Sequence, residues 1–258
     1  MIEGPDAGAF AHAQFSSKVI SLEAGCWQFS AWLNPQGRVR AFFHLSRVAD
    51  DKYLLLLRGG TASAMADALQ PYVFRSKVSI SAQLPRSLST GAALPTHAVL
   101  EEDGVMCLGC GNYSMQLTER IVDDEAWLAP QLRMGWPWLP DSALDELLPA
   151  ALSLQRLQAV AVDKGCYPGQ EIVARLHFRG GNKRHLCSGT LSQPVNPGES
   201  LRMGGNDVGR VLDVVRNSAN HEALLALNDD VAAQAKDGWL DIFDDKNVKL
   251  YVATRWPA

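Results

Sequence analysis

The stretch Lys164-Gly165-Cys166-Tyr167-Pro168-Gly169-Gln170-Glu171 places a thiol between a cation and a carboxylate on backbone punctuated by two glycines and a proline. Glycine permits positive φ and close main-chain approach, while proline fixes its own φ and holds the residue before it, here Tyr167, in extended geometry. The segment therefore reads as a rigid turn. The following Ile172-Val173-Ala174-Arg175-Leu176-His177-Phe178 mixes β-branched and aromatic residues and is expected to lead through a short helical or extended piece into strand. Cys166 then lies near an element end, where side chains can meet a ligand. A cation beside a thiol favours the thiolate, which is the nucleophile and the metal ligand. A small buried hydrophobe next to a structural turn explains the same cysteine equally well, because free cysteines are among the most buried residues.

Working outward, the 258 residues are enough for a sizeable core and for two or three packed subdomains, since domains usually run to about 100–150 residues. With 47% hydrophobic and 20% charged residues the composition is that of a folded globular protein rather than a disordered one. A net charge of −4 argues against a strong direct nucleic-acid surface, so any such contact has to be local. The opening Met1-Ile2-Glu3-Gly4-Pro5-Asp6 lacks the basic and apolar stretches of a secretory signal, and no run reaches membrane-spanning length; a cytoplasmic protein without a membrane partner is expected. Five cysteines, Cys26, Cys107, Cys110, Cys166 and Cys187, suit free thiols in a reducing compartment.

Strands are expected over 26–33, 38–47 and 53–58, joined by the turns Asn34-Pro35-Gln36-Gly37 and Asp50-Asp51. An alanine-rich helix is predicted over 61–72, capped by Thr61 or Ser63, and a half-buried strand over 77–83. Residues 85–97 read as a connection before strands near Val99 and over 105–108. Residues 119–132 and 141–154 read as helices joined by the rigid Gly135-Trp136-Pro137-Trp138-Leu139-Pro140, whose tryptophans wall a cavity or plug a seam. Short alternating stretches at 186–191, 208–215, 222–227, 239–243 and 248–254, separated by Pro197-Gly198, Gly204-Gly205 and the turn at 217–220, predict a small closed β domain.

The octapeptide, with Glu171-Ile172-Val173-Ala174-Arg175 following and Gly180 and Lys183-Arg184 beyond, resembles the signature of the bacterial folate-binding YgfZ family, relatives of the T protein of glycine cleavage. Three further segments agree: Gly4-Pro5-Asp6-Ala7 with Phe10 and Gln14, Asn34-Pro35-Gln36-Gly37-Arg38-Val39, and Tyr72-Val73-Phe74-Arg75-Ser76-Lys77-Val78. The resemblance implies an α+β, aminomethyltransferase (T-protein)-like folate-binding fold with a C-terminal small β-barrel. Residues 1–180 would form the folate-binding region, as two interwoven α+β subdomains, and 181–258 the barrel. It also implies a tetrahydrofolate-binding accessory protein for assembly or repair of iron–sulfur clusters in client enzymes, including those of tRNA modification. The partners would be such clients or assembly proteins, the state a monomer, and the cofactor tetrahydrofolate or a one-carbon derivative, with no stably bound metal. The alternative is a folate-dependent one-carbon (aminomethyl or methyl) transferase.

The motif cysteine is functional in that family, so the resemblance gives Cys166 and Lys164 the catalytic places. Tyr167, Gln170, Glu171, Trp136 and Arg175 are expected at the cofactor. A folate needs a flat apolar slot for its pterin, a carboxylate or amide for the ring's N–H edge, and cations for its glutamate tail. Two departures stand out. Lys18 follows Phe15-Ser16-Ser17 where an aspartate is common, and Arg38-Val39-Arg40-Ala41 lacks the acids that true aminomethyltransferases carry after this turn, which argues against glycine-cleavage chemistry. The dense basic segment of Arg175, Arg179, Lys183 and Arg184, interleaved with His177 and His185, is either a solvated face or an anion site. Cys107-Leu108-Gly109-Cys110 lacks a second ligand pair for zinc, Gly59-Gly60-Thr61 reads as a phosphate cradle at a helix N-terminus or, without the rest of such a motif, as a plain strand-to-helix turn, and no Walker loop, G-x-S-x-G or H-E-x-x-H occurs.

Overall fold

The structure is a computed structural model and describes residues 1–216, 221–244 and 246–257. The turn expected at 217–220 lies outside the described residues. The chain divides into two compact units that interleave in sequence: residues 1–32, 41–128 and 158–168 form the first, and residues 33–40, 129–157 and 169–258 the second.

In the first unit, strands β1 (Ile2–Glu3), β2 (Cys26–Leu33), β3 (Val39–Ala49), β4 (Lys52–Leu57) and β5 (Ser79–Ile80) form a sheet in the order β2-β3-β4-β1-β5. One sheet face carries Trp32, Phe43, Leu45 and Tyr53 and packs on α1 (Ala7–Gln14) and α2 (Ala62–Leu69) through Phe10, Ala11, Met65 and Leu69. The opposite face of β2 and β3 is buried as well, through Trp27, Phe29, Phe42 and His44, so these two strands read as nearly continuous buried runs. The Thr61 hydroxyl accepts the Ala64 N–H at 3.4 Å and caps α2, as expected. A second sheet contains β6 (Ser87–Gly91), β7 (Val99–Glu102), β8 (Val105–Gly109) and β9 (Ser114–Thr118) in the order β6-β9-β8-β7. Trp27 Nε1 donates to the Gly109 carbonyl at 3.0 Å and ties β2 to it.

The second unit holds α3 (Leu128–Arg133), α4 (Gln170–Arg179) and a six-stranded antiparallel sheet of β10 (Arg184–Leu191), β11 (Ser200–Met203), β12 (Asn206–Arg216), β13 (His221–Asn228), β14 (Leu240–Asp241) and β15 (Lys249–Arg255). The strand order β11-β12-β13-β10-β15-β14 nearly closes on itself, because Arg202 N–H on β11 donates to the Ile242 carbonyl just past β14. Leu191, Leu201, Val211, Leu225, Leu227 and Leu250 fill the barrel, and α5 (Asp229–Asp237) adds Val231, Ala232 and Ala235 to that core.

Several expectations need correction. Residues 119–127 are not helical: the Asp124 carboxylate accepts the N–H groups of Thr90 and Ala126 at 2.6 and 2.9 Å, which holds a local turn and keeps its pKa low. Residues 141–154 break into short 3₁₀ turns at Asp141–Ala143 and Pro149–Leu152, because Pro149 lacks an N–H and Asp145 and Ser153 adopt φ of +58° and +51°. The strand at 77–83 shrinks to Ser79–Ile80, and the connection at 85–97 contains β6, recruited by pairing with β9. The piece after the octapeptide is the helix α4.

Candidate functional site around Lys164 and Cys166

In the first unit the segment after α1 is threaded along β2. Ser16 exchanges main-chain and hydroxyl hydrogen bonds with Ala31, and its hydroxyl donates to the Ala159 carbonyl at 2.7 Å. Ser17 Oγ donates to Ser30 Oγ at 2.7 Å and accepts from Gln28 Nε2 at the same distance. These buried serines fix the backbone of residues 15–17, whose carbonyls then have a defined direction.

Lys164 uses that direction. Its ammonium donates to the carbonyls of His12 at 2.6 Å, Phe15 at 2.6 Å and Ser17 at 2.8 Å. Three donors meet three acceptors, all charge-assisted. The Tyr167 ring centroid lies 5.1 Å from the same nitrogen. Burial lowers the Lys164 pKa to about 8, so the group is still largely an ammonium at neutral pH. Burial, together with the Lys164 charge, also lowers the pKa of His12, whose Nδ1 accepts the Val19 N–H at 3.3 Å. Lys18 pairs with Asp163 at 2.5 Å, so the lysine that departs from the family pattern ties the same two segments together.

Cys166, two residues beyond Lys164, is exposed. Tyr167 is only 6% exposed; its hydroxyl donates to the Ala161 carbonyl at 2.9 Å and burial keeps it protonated. The turn is thus anchored on both sides of the thiol, by an ammonium and by a phenol, and the thiol itself faces solvent. Of the two readings open from sequence, the buried hydrophobe does not describe Cys166.

In the second unit Gly169 takes φ +78° as the residue before α4, and Gln170 and Glu171 begin the helix. The hairpin turn at 34–37 packs on this start: a Cβ on Gly169 would lie 2.6 Å from the Asn34 carbonyl oxygen, and one on Gly37 2.8 Å from Ile172 Cβ. Two of the segments that carried the resemblance therefore meet here. Gly169→Ala should cost about 2 kcal/mol through left-handed strain and this clash. A urea midpoint indistinguishable from wild type would refute that.

The residues after the 34–37 turn meet carboxylates from elsewhere in the same unit. Arg38 faces Glu146 at 3.7 Å, Arg40 faces Asp145 at 3.6 Å, and Asn34 Nδ2 donates to Asp145 at 2.8 Å. Glu171 and Arg175 are exposed one turn apart on α4. Trp136, 8% exposed, is held by its N–H to the Gln131 carbonyl at 2.9 Å, and Trp138 Nε1 donates to Gln131 Oε1 at 3.1 Å. The structure brings Lys164 and Tyr167 together around the base of the Cys166 turn and sets Glu171 and Arg175 on one helix. The basic segment divides: Arg184 pairs with Asp207 at 2.8 Å and His185 with Asp229 at 2.6 Å, whereas Arg175, Arg179 and Lys183 remain exposed. Sequence reading missed the main-chain cradle of Lys164, whose partners are backbone carbonyls that any residue supplies. Among the described residues no group of three or more His, Cys, Asp or Glu side chains could hold a metal ion, and no helix is long and apolar enough to cross a membrane.

The architecture matches a solved structure of the glycine cleavage system aminomethyltransferase T from Bartonella henselae, with a TM-score of 0.70 over 98% of this chain and 81% of that one, at 16% identity. The protein thus has the aminomethyltransferase T-protein fold. The tRNA-modifying protein YgfZ of Klebsiella pneumoniae is 30% identical over 80% of this chain and 74% of its own length, and that of Sodalis glossinidius 24% over 97% and 88%. The chain belongs to the YgfZ family. No protein-family model matches it.

Proposed function

We propose that this protein is a cytoplasmic, tetrahydrofolate-binding accessory factor that assembles or repairs iron–sulfur clusters in client enzymes, including enzymes that modify tRNA. The observation that carries the reading is an exposed Cys166 on a turn pinned by the Lys164 cradle, in a chain of the YgfZ family. A pinned, accessible thiol is suited to accepting a one-carbon unit, a sulfur species or a transient metal contact, since the sulfur meets its partner without first reordering the loop.

The donor set fits a reduced folate. Glu171 is an exposed carboxylate for the pterin's N–H edge, Gln170 beside it offers an amide, and Arg175 one turn on is a cation for the glutamate tail. Trp136, 8% exposed, would supply apolar ring surface only where its packing opens to the pterin. Tyr167, with its hydroxyl bonded to Ala161, contributes to holding the turn rather than to recognising a polar edge. When bound, the folate supplies or accepts the one-carbon unit.

Calorimetric titration with tetrahydrofolate and its formyl and methylene derivatives tests this. Saturable binding is expected, weakened about tenfold in Glu171→Ala, as for loss of one charge-assisted hydrogen bond. Absence of binding by every reduced folate would contradict the proposal. Steady conversion of tetrahydrofolate to its methylene form with a defined amine donor would instead favour a one-carbon transferase.

A further inference from the structure

We propose that the solvent-facing side of α4, together with Lys183 beyond its end, is a contact surface for single-stranded RNA, in which Phe178 stacks on a base and Arg179 and Lys183 hold neighbouring phosphates. The helix anchors itself through Val173, 3% exposed. At helical spacing, residues 171, 175, 178 and 179 fall on the opposite face. Phe178 on that face is 75% exposed, and the His177 ring meets it edge-on with centroids 4.9 Å apart. An aromatic ring so exposed contributes little packing to its own fold.

Among the described residues the cations beside it carry no carboxylate partner, and what sets them apart is the exposed ring they flank. Arg38, Arg40, Arg47, Arg86, Arg133, Arg184 and Arg255 each face a carboxylate, whereas among the described residues Arg175, Arg179 and Lys183 have no ion pair. Gly180 and Gly181 follow at φ +66° and +100°, and a Cβ at either would meet nothing within 4 Å, so the surface between Arg179 and Lys183 is open. Unpaired cations flanking an exposed ring are the combination that binds unpaired nucleotides: the ring takes a base plane and the cations take the backbone. A base must be free of a duplex to stack in this way, which selects loops and single strands. An acidic peptide would satisfy the cations and give the ring no plane to stack on. With a net charge of −4 on the whole chain, the contact is local rather than a general basic surface. The proposal does not depend on folate binding; Arg175 is left to the folate tail and is not used here.

The test is fluorescence anisotropy of the full chain with a labelled, unstructured RNA oligonucleotide, with poly-glutamate as competitor. Wild type should bind, Phe178→Ala should weaken binding about tenfold and Phe178→Trp should retain it, in line with the worth of one stacked base. Arg179→Ala with Lys183→Ala should lower the magnitude of the salt slope of log affinity by about 1.4, roughly 0.7 for each phosphate contact. No binding by wild type, or equal affinity in Phe178→Ala, would overturn the proposal. So would poly-glutamate competing as well as unlabelled RNA with Phe178→Ala indifferent to both, which would mark an acidic-protein surface. Tetrahydrofolate titration of the same variants separates the two readings. Loss of RNA with folate retained confirms a surface of its own, and RNA bound by a chain that takes no folate removes only the functional proposal above.

Discussion

Lys164→Met is expected to lower the stability of the protein by about 3 kcal/mol, read as a fall in the urea midpoint. Methionine keeps most of the stem but removes three charged donors, and the carbonyls of His12, Phe15 and Ser17 lose their common partner. Each buried acceptor so stranded costs about 1–3 kcal/mol, and relief of the buried ammonium's desolvation offsets part of the sum. A loss below about 1 kcal/mol would show that the cradle is not structural, on the same scale. The pH dependence has a definite sign. The folded-state pKa of about 8 lies below the ordinary 10.5, so between these values the unfolded chain holds a proton that the folded chain has released. Stability from this group therefore rises with pH across that window, and its burial cost is carried in full below about pH 8. The advantage of wild type over Lys164→Met should widen from pH 8 to 10.5, and the Lys164 Nζ resonance should titrate near the lower value. A Lys164 titration at the ordinary lysine value would contradict this.

Cys166→Ser should have the opposite profile, with stability unchanged and function lost. The thiol is exposed and the turn is held by Lys164 and Tyr167, so the substitution should move stability by no more than about 0.5 kcal/mol. Serine is neither a thiolate nucleophile nor a soft metal ligand, so restoration of a client iron–sulfur enzyme should fall to the level seen without the protein. Full restoration by Cys166→Ser, with normal folding, would remove the thiol from the account.

The contrast between these variants also explains which parts of the molecule were legible in the sequence. The strands around residues 34–37 and 50–51 could be read because turn chemistry and β-branched or aromatic runs agree there, and the barrel because short apolar stretches are separated by Pro-Gly and Gly-Gly turns. The helical texture of 141–154 was misleading, since Pro149 and the positive φ of Asp145 and Ser153 interrupt it. The strands β6 and β11 are short and polar and exist through pairing with β9 and β12. At the site, the octapeptide announced the thiol and its glycine turn. The role of Lys164 was hidden because its partners are main-chain carbonyls 147 to 152 positions away, and a carbonyl has no sequence signature. Arg184 and His185 looked equivalent to Arg179 and Lys183 until the barrel gave the first two carboxylates of their own.

The most direct test of the central claim is recovery of a cluster-depleted, RNA-modifying iron–sulfur enzyme, followed by its cluster absorbance and activity, with purified protein in the presence and absence of tetrahydrofolate. Wild type should accelerate recovery only when tetrahydrofolate is present, and Cys166→Ser should not accelerate it in either condition. Equal acceleration without any folate, or by the serine variant, would contradict the account.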